Sequence, residues 1–275
     1  MTVWRGFLLT LLALLLWSVG IEPGWLQQRQ LLQSSSHWRG APLTVAVAAD
    51  WHVGAPHVDL EAVRRIVGSI NQAAPDLILL PGDFVIQGVV GGTQIGPEAI
   101  ARELAALRAP LGVYATLGNH DWWLDGARVR RALEQAGIHV IENGSVRIER
   151  PGSPFWLLAV GDDMTGHAHP EKALADLPPE VDAIAMMHDP ASAPSLDRRI
   201  AMAVAGHTHG GQVRLPFWGA LLTPGRAPRS HAYGWLEGLE VPTYVTSGIG
   251  TSILPVRFNC PPETIVVRLS PATPS

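Results

Sequence analysis

Residues 43–52 read LTVAVAADWH: an apolar, β-branched run from Leu43 to Ala49 that stops at Asp50 and sets His52 two residues further on. The same pattern returns at residues 77–83 (LILLPGD), where a buried strand stops at Pro81-Gly82-Asp83. It returns again at residues 113–121 (VYATLGNHD), where Val113 to Leu117 runs into Gly118-Asn119-His120-Asp121. Between these runs the apolar residues recur at helical spacing. Leu60, Val63, Val67 and Ile70 follow a cap at Asp59, Ile100, Leu104 and Leu107 follow Pro97, and a third helix centres on Val129 and Leu133. Strands alternating with helices predict an α/β fold built on layered sheet. The second half reads as more antiparallel: Ile138 to Ile141, a hairpin turn at Asn143-Gly144, Val146 to Arg150 and Phe155 to Val160. Further strands are expected at Ala183 to Met187, Ala201 to Ala205, Val241 to Thr246 and Thr264 to Leu269.

The composition narrows the functional classes. With 275 residues, 47% hydrophobic and 16% charged, the chain can bury a substantial core, which excludes wholesale disorder. Its 20 basic and 24 acidic side chains give a net charge of -4, without the cationic excess on which nonspecific nucleic-acid binding depends. Cys260 is the only cysteine, so any metal must be held by His, Asp, Asn or Glu.

Such residues cluster just past the strand ends, at Asp50-Trp51-His52, Gly82-Asp83, Gly118-Asn119-His120-Asp121, His188-Asp189 and Gly206-His207-Thr208-His209. In α/β sheets the loops beyond the carboxyl ends of strands converge on one rim, so these clusters are expected to meet. The mixed set Asp50, His52, Asp83, Asn119, His188, His207 and His209 suits Mn, Fe, Zn or Co, and its size points to two divalent ions sharing a carboxylate such as Asp83. Hydrolysis at phosphorus is the reaction such a pair serves.

The ordered pattern D-x-H, G-D, G-N-H-D, H, G-H-x-H over Asp50 to His209 resembles the calcineurin-like metallophosphoesterases. GHTHGGQVRLP at residues 206–216 and TSGIGTSILPVRF at residues 246–258 resemble their small membrane-associated bacterial branch. That branch includes phosphodiesterases and a pyrophosphatase acting on UDP-2,3-diacylglucosamine. The resemblance implies a layered αββα sandwich of two mixed sheets flanked by helices. It also implies one ion on Asp50, His52 and His209, another on Asn119, His188 and His207, Asp83 as the bridge, His120 as the catalytic histidine, and attack on a phosphoester by a metal-bridging hydroxide. One position departs from the pattern. Many relatives carry an acid three residues after the G-D aspartate to orient the catalytic histidine, and here Ile86 stands in that place; Asp121 or a backbone carbonyl is left to substitute.

Several other residues carry two readings. Arg257 and Arg214 either grip a substrate phosphate or are solvated at the surface. Trp51, Trp122 and Trp123 either cover the substrate or line the rim. Asp162, Asp163, His167 and His169 read as a solvated loop near the cleft, and Cys260 as a small packed side chain. The stretch Leu215 to Pro228, with Phe217, Trp218, Leu221 and Leu222, is either a packed loop or a membrane-facing flap.

The N-terminal run Phe7 to Val19 is a membrane-targeting segment, either an uncleaved anchor or a cleaved signal, and Arg5 favours the N-terminus inside. The expected organisation is an anchor or signal over residues 1–24, a polar linker over residues 25–40 and one catalytic domain over residues 41–270. The expected partners are a phosphoester, lipid-linked in the pyrophosphatase reading, and a membrane reached through the N-terminal segment.

Overall fold

The computed structural model describes residues 2–272. Its strands are β1 (Gln27–Ser35), β2 (Leu43–Val47), β3 (Leu77–Pro81), β4 (Val113–Thr116), β5 (His139–Val140), β6 (Gly144–Ile148), β7 (Phe155–Val160), β8 (Ala183–Met187), β9 (Ile200–Ala205), β10 (Arg214–Leu215), β11 (Gly219–Ala220), β12 (Gly234–Trp235), β13 (Thr243–Val245) and β14 (Glu263–Pro271). The helices are α1 (Thr2–Leu16), α2 (Leu60–Gln72), α3 (Pro97–Leu104), α4 (Asn119–Gln135) and α5 (Pro170–Ala175). Two six-stranded mixed sheets form, in the orders β1-β14-β2-β3-β4-β5 and β12-β13-β9-β8-β7-β6.

The period-2 alternation of a strand sorts these residues into layers. Val45, Val47, Leu77 and Leu79 of the first sheet meet Leu157, Ala159, Ile184 and Met186 of the second in a core between the sheets. Their alternates Ala46, Ile78 and Leu80 face α2, α3 and α4, while Leu158, Val160, Ala185 and Met187 face the opposite way, toward α5. Both faces of the central strands are therefore dry, which is why these strands read as unbroken apolar runs. Asp59 caps α2 as expected, accepting the Ala62 N–H at 2.7 Å.

Three features depart from the sequence reading. The segment taken as a linker contains β1, which pairs in parallel with β14 along its whole length and ties Arg29 to Glu263 at 2.8 Å. It reads as polar because an edge strand buries only alternate residues, and its partner lies at the other end of the chain. Asn143-Gly144 does not close a hairpin. β5 joins the first sheet beside β4, whereas β6 joins the second beside β7, so the turn carries the chain from one sheet to the other. The second sheet is also parallel through its middle, β7-β8-β9-β13, and antiparallel only at its edges.

Helix α1 continues through a π turn (Trp17–Ile21) and a short 3-10 turn (Glu22–Gly24). The 21 residues Trp4–Gly24 are long and apolar enough to cross a bilayer, by length and composition. Its end docks on the domain: the Arg257 N–H donates to Ser18 O at 2.9 Å, and the buried Glu22 carboxylate accepts the Cys260 N–H at 2.5 Å.

Candidate metal centre

Strands β2, β3 and β4 of one sheet and β8, β9 and β13 of the other deliver their carboxyl ends to a single rim. The short connections beyond them carry Asp50 and His52, Asp83, Asn119 and His120, His188, and His207 and His209. All eight side chains are buried, from 0% exposed for Asp50, His52 and His188 to 6% for His120. Five of these residues hold left-handed backbone: Asp50 (φ 51°), His52 (φ 41°), Asp83 (φ 56°), His207 (φ 70°) and His209 (φ 51°). Each such conformation costs a non-glycine residue on the order of 1 kcal/mol, and strain concentrated in this way marks a place where side-chain aim outranks backbone comfort.

The side chains fall into two groups that share one carboxylate. Asp50, His52, Asp83 and His209 bring ligand atoms within 4.8 Å of one another, and so do Asp83, His188 and His207. Asp83 Oδ2 lies 3.4 Å from His52 Nε2 and 3.4 Å from His188 Nε2, between the groups. Asn119 Oδ1 is 3.1 Å from His188 Nε2 and completes the second group.

Tautomers show what the centre needs. His188 Nδ1–H donates to Pro81 O at 2.7 Å, and His209 Nδ1–H donates to Gly250 O at 3.3 Å. A carbonyl only accepts, so in the neutral rings both Nε2 atoms are bare lone pairs. His188 Nε2 nevertheless faces the acceptor Asn119 Oδ1 and lies 3.1 Å from His207 Nδ1, while His209 Nε2 lies 3.0 Å from His52 Nε2. Acceptors gathered in this way in a dry pocket call for a cation among them, or for protons carried on the facing nitrogens of His52 and His207. The donor set therefore fits divalent metal ions.

The charge balance agrees. Burial alone would raise Asp83, but His188 and His120 hold its carboxyl well below the usual range. Burial alone would lower His188, yet the Asp83 carboxylate at its side holds it well above its ordinary value. A cation held between these groups would take the place of the proton that this arrangement favours on His188. Burial pushes Asp50 up to about 6 and lowers His207 to about 3.

Asp121 does not orient His120. Its carboxylate accepts the backbone N–H groups of Asp83 (2.8 Å), Phe84 (2.9 Å), Val85 (3.3 Å) and Gly118 (3.0 Å), and so clamps the G-D loop to the G-N-H-D loop. His120 is set instead by its own N–H, which donates to Asp83 Oδ1 at 2.9 Å, and by edge contacts with His52 and Trp123. Its Nε2 lies 3.4 Å from Ser252 Oγ, and its Nδ1 is buried without a partner. Ile86 is buried three residues after Asp83, and among the described residues no acid partners His120 Nδ1.

Other expectations change. Arg257 is fully buried and spends its guanidinium on the carbonyls of Ser247 (2.8 Å), Gly248 (3.2 Å), Gly250 (2.6 Å) and Cys260 (3.0 Å), so it braces the loop after β13 and is not free to grip a phosphate. Arg214 donates to Gly210 O at 3.2 Å and stacks over Tyr233. Trp51 is a core residue, Trp122 stacks on His167, and only Trp123 is exposed at the mouth. Asp162 is buried, not solvated: with Asp189 and His207 it forms a third close set, and Asp189 Oδ2 lies 3.6 Å from His207 Nε2. Cys260 is buried, with its Sγ 3.4 Å from His209 O.

Ser252 and Gly248 were missed by the motif reading. Gly248 is left-handed (φ 69°), and a Cβ there would stand 2.6 Å from Asp50 Oδ2. The signal was the glycine-rich stretch behind the strand at Thr243–Val245, a sixth strand end on the same rim.

Comparison with known proteins places this geometry in context. Residues 43–211 match the calcineurin-like phosphoesterase family. The uncharacterized metallophosphoesterase YkuE of Bacillus subtilis is 33% identical over 215 residues, covering 76% of this chain and 73% of that protein. Phosphodiesterase YaeI of Escherichia coli is 30% identical over 90% of each chain. The UDP-2,3-diacylglucosamine pyrophosphatase LpxG of Chlamydia trachomatis is 26% identical over 92% of each.

Proposed function

The chain belongs to the calcineurin-like phosphoesterase family and is a metal-dependent phosphoric ester hydrolase, and from that premise we propose that it cleaves phosphodiester bonds at a two-ion centre. The observation that carries this reading is the Asp83 carboxylate oxygen, equidistant at 3.4 Å from one histidine of each ligand group. Asp50, His52 and His209 would hold one divalent transition-metal ion and Asn119, His188 and His207 the other, with Asp83 shared. Bound there, the two ions would supply Lewis acidity toward the phosphoryl oxygens and activate water for attack at phosphorus.

The chain's own residues do the rest. Asp121 holds the two ligand loops in register through four backbone amides. His120 stands at the mouth, and burial pushes its imidazole down to about 4, so the ring stays neutral until an anionic phosphoester arrives to favour its protonated form. We assign delivery of a proton to the departing alkoxide to Nε2, the nitrogen that Ser252 faces. The docked end of the N-terminal segment supports a retained anchor over a cleaved signal, with the catalytic domain held at a membrane.

A second reading is hydrolysis of a lipid-linked pyrophosphate such as UDP-2,3-diacylglucosamine. It is favoured by the exposed apolar side chains of Phe217, Trp218 and Leu222. Against it, between α4 and His188 the chain holds only the six-residue α5, too short to cradle acyl chains. Purified full-length protein loaded with manganese, iron or zinc and offered simple phosphodiesters, phospholipids and nucleotide-sugar lipids tests both readings, with products identified by mass spectrometry. Turnover of phosphodiesters is expected. Turnover confined to nucleotide-sugar lipids would establish the second reading, and no turnover with metal bound would overturn both.

A further inference from the structure

We propose that the β10–β11 hairpin and the neighbouring loop at Ile253-Leu254 form a bilayer-docking surface that sets the mouth of the metal centre against anionic phospholipid. The proposal rests on reading Trp4–Gly24 as a retained anchor. The hairpin pairs Arg214 with Ala220 and Leu215 with Gly219, leaving Pro216-Phe217-Trp218 at its tip. Phe217 sits in left-handed backbone (φ 68°) with its ring wholly exposed, and Trp218 and Leu222 are each 78% exposed. Ile253, also left-handed (φ 61°), is 69% exposed and Leu254 53%. A soluble surface rarely gathers aromatic and aliphatic side chains in this way, and Trp and Phe at a turn tip suit the interfacial zone of a bilayer.

Three connections say what covers the patch. First, it is continuous with the anchor: Arg257 N–H binds the helix at Ser18 O, while the next residue, Phe258, accepts the Arg214 N–H at the base of the hairpin at 2.9 Å. Gln212 joins the two apolar parts, accepting the Ser252 N–H at 2.6 Å and donating to Leu254 O at 3.2 Å. A helix that enters the bilayer at this point brings both to the same interface.

Second, the charge is complementary. Residues 211–236 contain Arg214, Arg226 and Arg229 and no Asp or Glu, and residues 241–262 also contain no acid, in a chain whose net charge is -4; Arg226 is paired with Asp163, which leaves Arg214 and Arg229 outside any ion pair among the described residues. A cationic fringe around an apolar tip favours an anionic headgroup layer. Third, the patch borders the chemistry. Ser252, next to Ile253, faces His120 Nε2, and a Cβ at Gly225, three residues after Leu222, would stand 3.0 Å from His207 Nε2. An amphiphile held in the outer layer of lipid would thus present its phosphoester at the rim.

The test reads depth, not turnover, so it stands or falls separately from the phosphodiesterase reading. Full-length protein carrying one fluorophore at Phe217→Cys or Leu222→Cys is reconstituted into vesicles of phosphatidylcholine and phosphatidylglycerol with brominated acyl chains. The native Cys260 is buried and escapes labelling. The same label at Arg108→Cys, exposed ahead of β4 at the opposite rim, is the reference. The expected result is severalfold stronger bromine quenching at positions 217 and 222 than at 108, with acrylamide reaching only the last. Equal bromine quenching at all three positions would overturn the proposal. So would protection from acrylamide without bromine quenching, which would mean that protein, and not lipid, covers the patch.

Discussion

Asp121 Oδ2 accepts the backbone N–H of Asp83 at 2.8 Å, so the aspartate that follows β4 fixes the backbone of the aspartate that stands between the two histidine groups. Three further amides converge on the same side chain, and all are buried. Asp121→Asn turns a pure acceptor into a group with an N–H₂ edge facing donors. It is expected to lower metal affinity by about 10- to 100-fold, the usual cost of losing a partner that orients a ligand. Asp121→Ala leaves the amides without acceptors and should destabilise the fold by several kcal/mol, on the order of 1–3 per orphaned group. Metal titration followed by thermal melting separates the two effects; an unaltered affinity in Asp121→Asn would remove the clamp from the account.

His120 touches the centre through Asp83 and His52 but belongs to neither ligand group. His120→Ala should therefore keep its full complement of metal by elemental analysis while kcat on a chromogenic phosphodiester falls about 10²- to 10⁴-fold, the range for loss of a general acid. Loss of metal along with activity would make it a ligand instead. Ser252→Ala should shift the pH profile of kcat with little change in metal content, because it alters only the hydrogen bond at His120 Nε2.

Metal uptake should expel protons. In the metal-free protein the Asp83 carboxylate favours the protonated form of His188, while burial pushes Asp50 up to about 6. Their folded-state affinity for protons is raised, so they carry protons as pH falls through about 6, and a cation must displace them. Apparent affinity is expected to fall by about tenfold per pH unit for each proton displaced. Calorimetry in buffers of different ionisation enthalpy measures the number; uptake with no proton release at pH 7 would contradict the charged state of His188.

Arg257 braces four carbonyls and contacts no open cleft. Arg257→Ala should destabilise the protein by more than about 3 kcal/mol, since it orphans buried acceptors and removes a packed side chain. Arg257→Lys, if it folds, should keep KM within about twofold because it alters no substrate contact. A tenfold rise in KM at unchanged melting temperature would return Arg257 to the substrate.

The gathering of these side chains was legible because polar, metal-capable residues stand just past apolar runs, and an α/β sheet delivers such positions to one rim. Asp50, Asp83, Asn119, His188 and His207 each follow a strand within three residues, so a local apolar run predicts where they emerge. Left-handed backbone at Asp50, His52, Asp83, His207 and His209 left no comparable trace, because strain is imposed by neighbours distant in sequence.

What the amino-acid order determined by itself was the layered α/β class, the identity of the polar residues at the rim and the apolar N-terminal run. All three follow from local periodicity and side-chain chemistry. Only the tertiary structure decided that Gln27–Ser35 is an edge strand, that Asp121 serves the backbone of residues 83–85, and that Arg257 braces a loop. In each case the partner is supplied by chain closure: β14 for the strand, a second loop of the rim for the carboxylate, and for the guanidinium a ring of carbonyls that becomes dry only once the N-terminal helix and the loop after β13 have packed over it. Hydrogen-bond partners of that kind depend on which water is excluded, and that depends on the whole fold.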